Sequence, residues 1–196
     1  SLFEDVRYGV RASSTTVTLL DSIFVRLIGN RSAVEIAGDG GSRSTVERCK
    51  VEDLLNDGVV VRTATADIRG CEFRGVMEDA LSVSGAGAFG AAVVTGSIFY
   101  DCGTGLEILD EAEVEGDHIT VTGCREGAYV NATGATAGGG HGSFHSTILW
   151  GNEIDATVGN LASLSFSFSD AGGGPWPGEA NMDVLPSFVG GGDLSL

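Results

Sequence analysis

The sequence predicts an all-β solenoid of about seven to eight coils, with three short strands in each coil. A small residue followed by an apolar anchor recurs along the chain, and the anchors stand 21, 27, 22, 26, 22 and 27 residues apart by subtraction. The anchors are Phe3, Phe24, Val51, Phe73, Phe99, Val121 and Ile148. The composition agrees, because Gly contributes 31 of the 196 residues while Val, Thr, Ser, Ile and Phe fill the repeats.

Each coil begins with a strand around its anchor, and a second strand follows a Gly or Ala. These second segments alternate apolar and polar residues, which is the pattern of a strand with one buried face. They lie at residues 9–12, 33–36, 58–61, 80–83, 105–108 and 128–130. A third, shorter strand closes the coil, as at 16–19, 92–94 and 161–164. Strands of successive coils then stack in parallel at about 4.8 Å, which gives three long faces.

Glycine-rich stretches account for the longer steps between anchors. They occupy residues 38–41, 85–88 and 134–142, at the corner after the second strand. We expect them to be loops that project from every second coil.

The closing part of the sequence supports a resemblance to a known family. Residues 146–152 read Ser-Thr-Ile-Leu-Trp-Gly-Asn, similar to the last coil of secreted bacterial β-helix repeat proteins. The tail at 177–188 and 192–196 also resembles theirs, although Leu185 replaces the usual Asp and Leu194 the usual aromatic residue. The whole chain resembles a right-handed parallel β-helix of the pectin-lyase-like superfamily. This implies one domain, with coils at 1–170 and a capping segment at 171–196, in a secreted or cell-surface protein.

Charge and hydropathy narrow the range of partners. Asp and Glu outnumber Lys and Arg by 27 to 11, so nucleic acid would be repelled overall. No stretch approaches the roughly 18 apolar residues of a membrane span. The first coil is already under way at Leu2, so we expect a segment of a larger polypeptide. Its open first coil could pair with another copy or with an upstream domain.

Four cysteines form two predicted stacks inside the solenoid. Cys49 and Cys71 are 22 residues apart, as are Cys102 and Cys124, and each separation equals one coil. Buried free thiols and disulfides between neighbouring coils both fit this spacing. A metal site is not expected, because no Cys-x-x-Cys occurs and no histidine joins either stack.

Alternation about the anchors predicts one polar face on the first strands. This face is expected to carry Arg48, Lys50, Glu52, Glu72, Arg74, Tyr100, His118, Thr120, His145 and Thr147. His118 and His145 are expected side by side on consecutive coils. In the family that the chain resembles, the first-strand face is the saccharide cleft. The resemblance therefore implies Lys50, Arg74 and Tyr100 as catalytic candidates, and Arg48, Glu72, His118 and His145 as binding candidates.

Two functions remain open from the sequence. The first is a non-catalytic extracellular module that binds a polysaccharide, a cell-surface glycan or another surface, or that serves as a structural or adhesive segment. The alternative is a polysaccharide lyase, hydrolase or epimerase that acts on an acidic polysaccharide. Proton abstraction next to a carboxylate would need a base and a nearby cation, which Lys50 or Arg74 could supply. No cofactor is expected, except for calcium if the protein is an enzyme.

Overall fold

A computed structural model describes residues 1–7, 9–29, 31–38, 43–85, 89–134 and 138–186. The predicted all-β solenoid is confirmed. The described residues form three parallel sheets of eight, seven and seven strands, and each turn of the chain contributes one strand to each sheet.

The strands are short and follow one another around the axis in a fixed order. The first sheet consists of Leu2–Glu4, Ile23–Val25, Lys50–Glu52, Glu72–Arg74, Ile98–Tyr100, Thr120–Thr122, Ile148–Leu149 and Asp170–Ala171. The second consists of Val10–Ser13, Val34–Ala37, Val59–Arg62, Asp79–Ser84, Thr104–Leu109, Glu126–Asn131 and Ile154–Val158. The third consists of Thr18–Leu20, Arg43–Glu47, Thr65–Arg69, Ala91–Thr95, Glu113–Asp117, His141–His145 and Ser163–Ser167.

The anchors stack in one buried column, with one correction. Phe73 lies opposite Phe99 as predicted, but Val121 lies opposite Leu149 and not opposite Ile148. Ile148 instead pairs with Thr120, on the side of the sheet opposite to the anchors, although it is itself buried. The sequence Ser-Thr-Ile-Leu at 146–149 holds two hydroxyls followed by two aliphatic residues, so both registers satisfy the repeat. The predicted third strand at 161–164 is also misplaced, since it begins at Ser163.

Aromatic rings stack inside the solenoid where neighbouring coils both carry one. Phe73 and Phe99 lie face to face with ring centroids 4.8 Å apart, and Phe3 and Phe24 with centroids 4.6 Å apart. Because adjacent parallel strands are about 4.8 Å apart, like side chains in register meet at stacking distance. The resulting core is continuous along the axis.

A column of hydroxyl and thiol groups lies two residues before the anchors. Ser97 Oγ donates to the Thr95 carbonyl at 3.0 Å and accepts from the Cys71 amide at 3.1 Å. Cys49 and Cys71 occupy the same column, and their thiols donate in the same way to the carbonyl two residues earlier. All four cysteines are buried and free in the structure. Of the two predicted alternatives, the structure has the free thiols.

Two corners flank the first sheet, and their residues adopt the left-handed conformation. The corner before this sheet has positive φ at Asp21, Arg48, Gly70, Gly96, His118, Ser146 and Phe168. The corner after it has positive φ at Asp5, Arg26, Asp53, Gly75, Asp101, Gly123, Gly151 and Gly173. Glycine and aspartate tolerate this conformation better than most residues. Side chains at these positions leave the edge of the sheet and do not lie on its face.

The chain beyond the last strand folds back over the final coil. Trp176 meets Phe166 edge to face at 5.7 Å, and its indole N–H donates to the Gly172 carbonyl at 2.9 Å. Asn181 donates to the Phe166 carbonyl at 2.7 Å, which satisfies an open strand edge. The rest of the predicted cap, with the 192–196 ending, lies outside the described residues, as do 39–41, 86–88 and 135–137 of the predicted loops.

Candidate functional site

The outward side of the first sheet carries two columns of side chains. One column holds Leu2, Ile23, Lys50, Glu72, Ile98, Thr120, Ile148 and Asp170. The other holds Glu4, Val25, Glu52, Arg74, Tyr100, Thr122, Trp150 and Gly172. We call these two columns the first-sheet face. It brings together Lys50, Glu72, Arg74 and Tyr100, as the sequence predicted.

Lys50 and Glu72 form an ion pair across neighbouring coils. Lys50 Nζ lies 2.6 Å from Glu72 Oε2, and both side chains are close to half exposed. The hydrogen bond that Lys50 donates to Glu72, together with the charge of Glu72, raises the pKa of Lys50 above its ordinary value. Lys50 therefore stays protonated at neutral pH, which disfavours the role of general base that the resemblance implied.

Arg74 lies over the ring of Tyr100. The guanidinium carbon is 5.8 Å from the ring centroid, a distance typical of a cation–π contact. Arg74 forms no ion pair with any residue in the described part of the chain. The Tyr100 ring also lies against the next corner, where a Cβ added to Gly123 would come within 3.2 Å of it. Glycine at this position therefore leaves room for the ring, which remains 37% exposed.

Trp150 belongs to the same column as Tyr100, two coils further along. It follows Leu149, and its amide donates to the Val121 carbonyl at 3.2 Å. Trp150 was not predicted to belong to a site, because the spacing of the repeats indicated Ile148 as the anchor. With the anchor at Leu149, Trp150 occupies the outward position that Tyr100 occupies after Phe99. The signal was therefore present in the sequence and was hidden by the one-residue error.

Three of the four predicted binding residues lie away from the first-sheet face, and they are Arg48, His118 and His145. Arg48 is at the corner, where its guanidinium holds both carboxylate oxygens of Asp21, with Nε 2.7 Å from Oδ1 and Nη2 3.0 Å from Oδ2. This contact lowers the pKa of Asp21. Thr147, also predicted on the face, is buried in the hydroxyl column. His145 lies on the third sheet, opposite Asp117, and His118 follows at the corner.

His118 and His145 are not stacked side by side, but they converge on one carboxylate oxygen. The Nδ1 atoms of His118 and His145 lie 2.8 Å and 3.1 Å from Oδ1 of Asp117. Partial burial tends to raise the pKa of Asp117, but the two imidazoles outweigh it and the net pKa is lowered. In the ranges that the structure describes, no group of three His, Cys, Asp or Glu residues is arranged to hold a metal ion.

A cluster of carboxyl groups on the second sheet was not predicted. Asp57, Asp79 and Glu107 form this second-sheet carboxyl cluster. Ser82 Oγ donates to Glu107 at 2.6 Å, Asp79 hydrogen-bonds to Thr104 and Glu107, and Asp57 accepts from the Asp79 amide at 3.4 Å. Burial, reinforced by the neighbouring carboxylates, raises the pKa of Asp57 and of Asp79 to about 6. Asp57 and Asp79 are 22 residues apart and each precedes a small residue, so the repeat alignment contained the signal.

Comparison with known proteins identifies a family from the coils of the chain. The family model described as "Right handed beta helix region" matches residues 32–159. The chain belongs to this right-handed β-helix family. A search of curated proteins finds no match. In the described part of this family member, no helix is both long enough and apolar enough to cross a membrane.

Proposed function

We propose that this β-helix chain is a non-catalytic, extracellular module that binds glycan along the first-sheet face. One observation carries the proposal: the exposed pair of Arg74 and Tyr100 shares a column with Trp150. Aromatic rings offer apolar surface to the C–H faces of sugar rings, and an unpaired guanidinium offers several donors to sugar oxygens.

The spacing of the rings favours an elongated ligand. Tyr100 and Trp150 are separated by two strand spacings, which is about 10 Å. A single sugar ring on Tyr100 would not reach Trp150, whereas an oligosaccharide running along the axis would contact both. Thr122 lies between them in the same column, where it is buried and leaves the two rings as the exposed contacts.

The charge of the chain favours a neutral glycan. The net charge is −16, so a polyuronate would be repelled at long range even though Arg74 is locally favourable. We expect neutral oligosaccharides to bind more tightly than polyuronates at low salt, and the difference to shrink at high salt because charges are screened.

The ion pair of Lys50 supports binding over catalysis. A general base must be unprotonated to accept a proton, and Lys50 is held in its charged form by Glu72. The same pair presents fixed polar groups beside Arg74, which suits recognition of hydroxyl groups.

Calorimetric titration with oligosaccharides chosen from a glycan array tests the proposal. Tyr100→Ala and Arg74→Gln should each weaken binding by about tenfold or more, equivalent to about 1.4 kcal/mol. Tyr129→Ala is the matched control, because Tyr129 faces outward on the second sheet and should leave binding unchanged.

Two outcomes would overturn the proposal. One is that the glycans selected on the array bind Tyr100→Ala and Arg74→Gln as tightly as they bind the wild-type protein. The other is the release of an unsaturated, ultraviolet-absorbing product from an acidic polysaccharide, which would favour the lyase alternative. Loss of that product in Arg74→Gln would then place the catalytic site on this face.

A further inference from the structure

A second surface site lies at the corner between the first and second sheets. The residues four positions after each anchor stack there in a corner column, which consists of Arg7, Ile28, Leu55, Met77, Gly103, Arg125 and Glu153. Ile28, Leu55 and Met77 stand on consecutive coils and are 67%, 62% and 65% exposed. Three stacked apolar side chains in water form an unusual surface for a chain with a net charge of −16.

The column is interrupted at Gly103. Phe73 pairs with Phe99 and Asp79 pairs with Thr104, so the turn containing Gly103 is one residue shorter than the turn before it. A Cβ at this position would come within 2.2 Å of the Met77 carbonyl oxygen, so only glycine fits. A surface depression of ≈ 470 Å³ lies between the coils on either side of Gly103, and we call it the notch. Its lining residues are Leu55, Met77, Glu78, Asp79 and Arg125.

Opposite charges face each other across the notch without pairing. Glu78 and Asp79 stand on one side of Gly103, and Arg125 stands on the coil beyond it. Their backbones are two strand spacings apart, about 10 Å. The Arg125 side chain is exposed and makes no hydrogen bond or ion pair with any described residue. A ligand that carries both charges could bridge this gap, which the protein leaves open.

The acidic side of the notch is short of positive charge. Asp79 is partly buried beside Glu107 and Asp57, and burial together with these carboxylates raises its pKa to about 6. At pH 7.5 the carboxylate is therefore ionised in an unfavourable environment. An ammonium group placed beside it would relieve the repulsion between the carboxylates. The folded protein already holds these carboxylates together, so ligand binding does not have to assemble them.

We propose that the notch binds a small zwitterion of the α-amino-acid class with an aliphatic side chain. The ligand carboxylate pairs with Arg125, its ammonium group pairs with Asp79 and Glu78, and its side chain lies on Met77 and Leu55. The depression is shallow and open to solvent, so the ligand contacts it on one side only. This site does not depend on the glycan-binding proposal, since it shares no residue with the first-sheet face.

Titration with L-leucine at pH 7.5, followed by amide NMR spectra, tests the inference. We expect saturable shifts centred on the amides of Gly103 and Arg125. 4-Methylpentanoate is L-leucine without the ammonium group and isoamylamine is L-leucine without the carboxylate, so each should bind at least about tenfold more weakly than L-leucine. Equal binding of 4-methylpentanoate, or preferred binding of galacturonate, would overturn the assignment to a zwitterion.

Matched variants separate the notch from general charge effects. Arg125→Gln should weaken L-leucine binding by about tenfold or more, since a charge-assisted contact is lost. Arg7→Gln makes the same chemical change in the same corner column, far from the notch, and should leave the affinity unchanged. Met77→Ser changes an exposed side chain, so it should fold normally and still weaken binding.

The first-sheet face provides the last control. Tyr100→Ala, which removes the proposed glycan platform, should leave L-leucine affinity unchanged. If Arg7→Gln weakens L-leucine binding as much as Arg125→Gln does, the interaction is a general charge effect and the notch is not the site. If L-leucine produces no saturable shifts in the wild-type protein, the inference fails while the glycan proposal remains testable.

Discussion

The first-sheet face and the second-sheet carboxyl cluster follow the same stacking rule, but the rule brings different charges together. On the first sheet, Lys50 meets Glu72 on the next coil and the two charges attract. On the second sheet, Asp79 meets Asp57 and Glu107, and the charges repel. The fold fixes only the spacing of about 4.8 Å between neighbours. The order of residue types on neighbouring coils decides whether the charges on a face attract or repel one another.

Both faces rest on the same inner column, and removing part of that column should damage them equally. Phe99→Ala deletes a fully buried ring that stacks on Phe73. We expect the free energy of unfolding to fall by about 3–5 kcal/mol, measured by urea denaturation. Phe168→Ala is the matched control, because Phe168 is 54% exposed. Similar losses in the two variants would show that Phe99 is not in a stacked core.

The second-sheet carboxyl cluster should lose its internal repulsion when Asp79 is made neutral. The pKa of Asp79 is raised from 3.8 to about 6, so Asp79 binds a proton more readily in the folded state than in the unfolded state. Stability should therefore fall as pH rises from about 4 to about 6. We expect Asp79→Asn to raise the free energy of unfolding at pH 7.5 by about 1 kcal/mol, after allowance for solvent screening.

Denaturation of the wild-type protein and Asp79→Asn across pH 4 to 7.5 measures this effect. The difference between them should widen with rising pH. A stabilising effect of Asp79→Asn that is the same at pH 4 and pH 7.5 would contradict the proposed repulsion.

Neutralising either partner of the ion pair on the first-sheet face should lower the stability of the protein. This change is opposite in sign to that of Asp79→Asn and smaller. Lys50→Gln and Glu72→Gln should each destabilise the protein by about 0.2–1 kcal/mol, because exposed pairs contribute little. A double-mutant cycle at low and high salt isolates the interaction, and the coupling should shrink at high salt. Coupling that is absent at low salt would mean that the two side chains do not pair in solution.

The smallest expected effect lies on the third sheet, at the carboxylate shared by two histidines. The pKa of Asp117 is lowered, so its negative charge is stabilised in the folded state and this contribution is lost as pH falls through the folded pKa. Asp117→Asn should destabilise the protein by a few tenths of a kcal/mol, about the value of an exposed pair. Thermal unfolding at pH 6 tests it, and a stabilised Asp117→Asn variant would contradict the shared contact.

The fold was predictable from the sequence because every coil repeats the same two elements. Anchors such as Phe73 and Phe99 recur at solenoid spacing, and the small residue before each second strand marks the bend. Among the anchors, the register failed only where the local sequence is degenerate, at Thr147 and Ile148. There, two hydroxyls precede two aliphatic residues, and only pairing with Val121 selects Leu149 as the anchor.

The candidate sites were less predictable, because they depend on lateral contacts between coils. Lys50, Glu72, Arg74 and Tyr100 were placed correctly by alternation alone. Arg48 and His118 were misplaced because the position three residues before an anchor is the left-handed corner, and His145 lies one residue earlier still, on the third sheet. The notch at Gly103 depends on a turn that is one residue shorter than its neighbour, and such a difference acquires meaning only when the coils are aligned in register.

A length series of one glycan tests the central claim of glycan binding most directly. Oligosaccharides of increasing length, taken from a positive glycan-array series, should be titrated by calorimetry into the wild-type protein and into Trp150→Leu. The wild-type affinity should rise steeply once the ligand is long enough to span the roughly 10 Å from Tyr100 to Trp150, and the rise should be absent in Trp150→Leu. An affinity that does not change with length, or a rise that persists in Trp150→Leu, would contradict binding along this face.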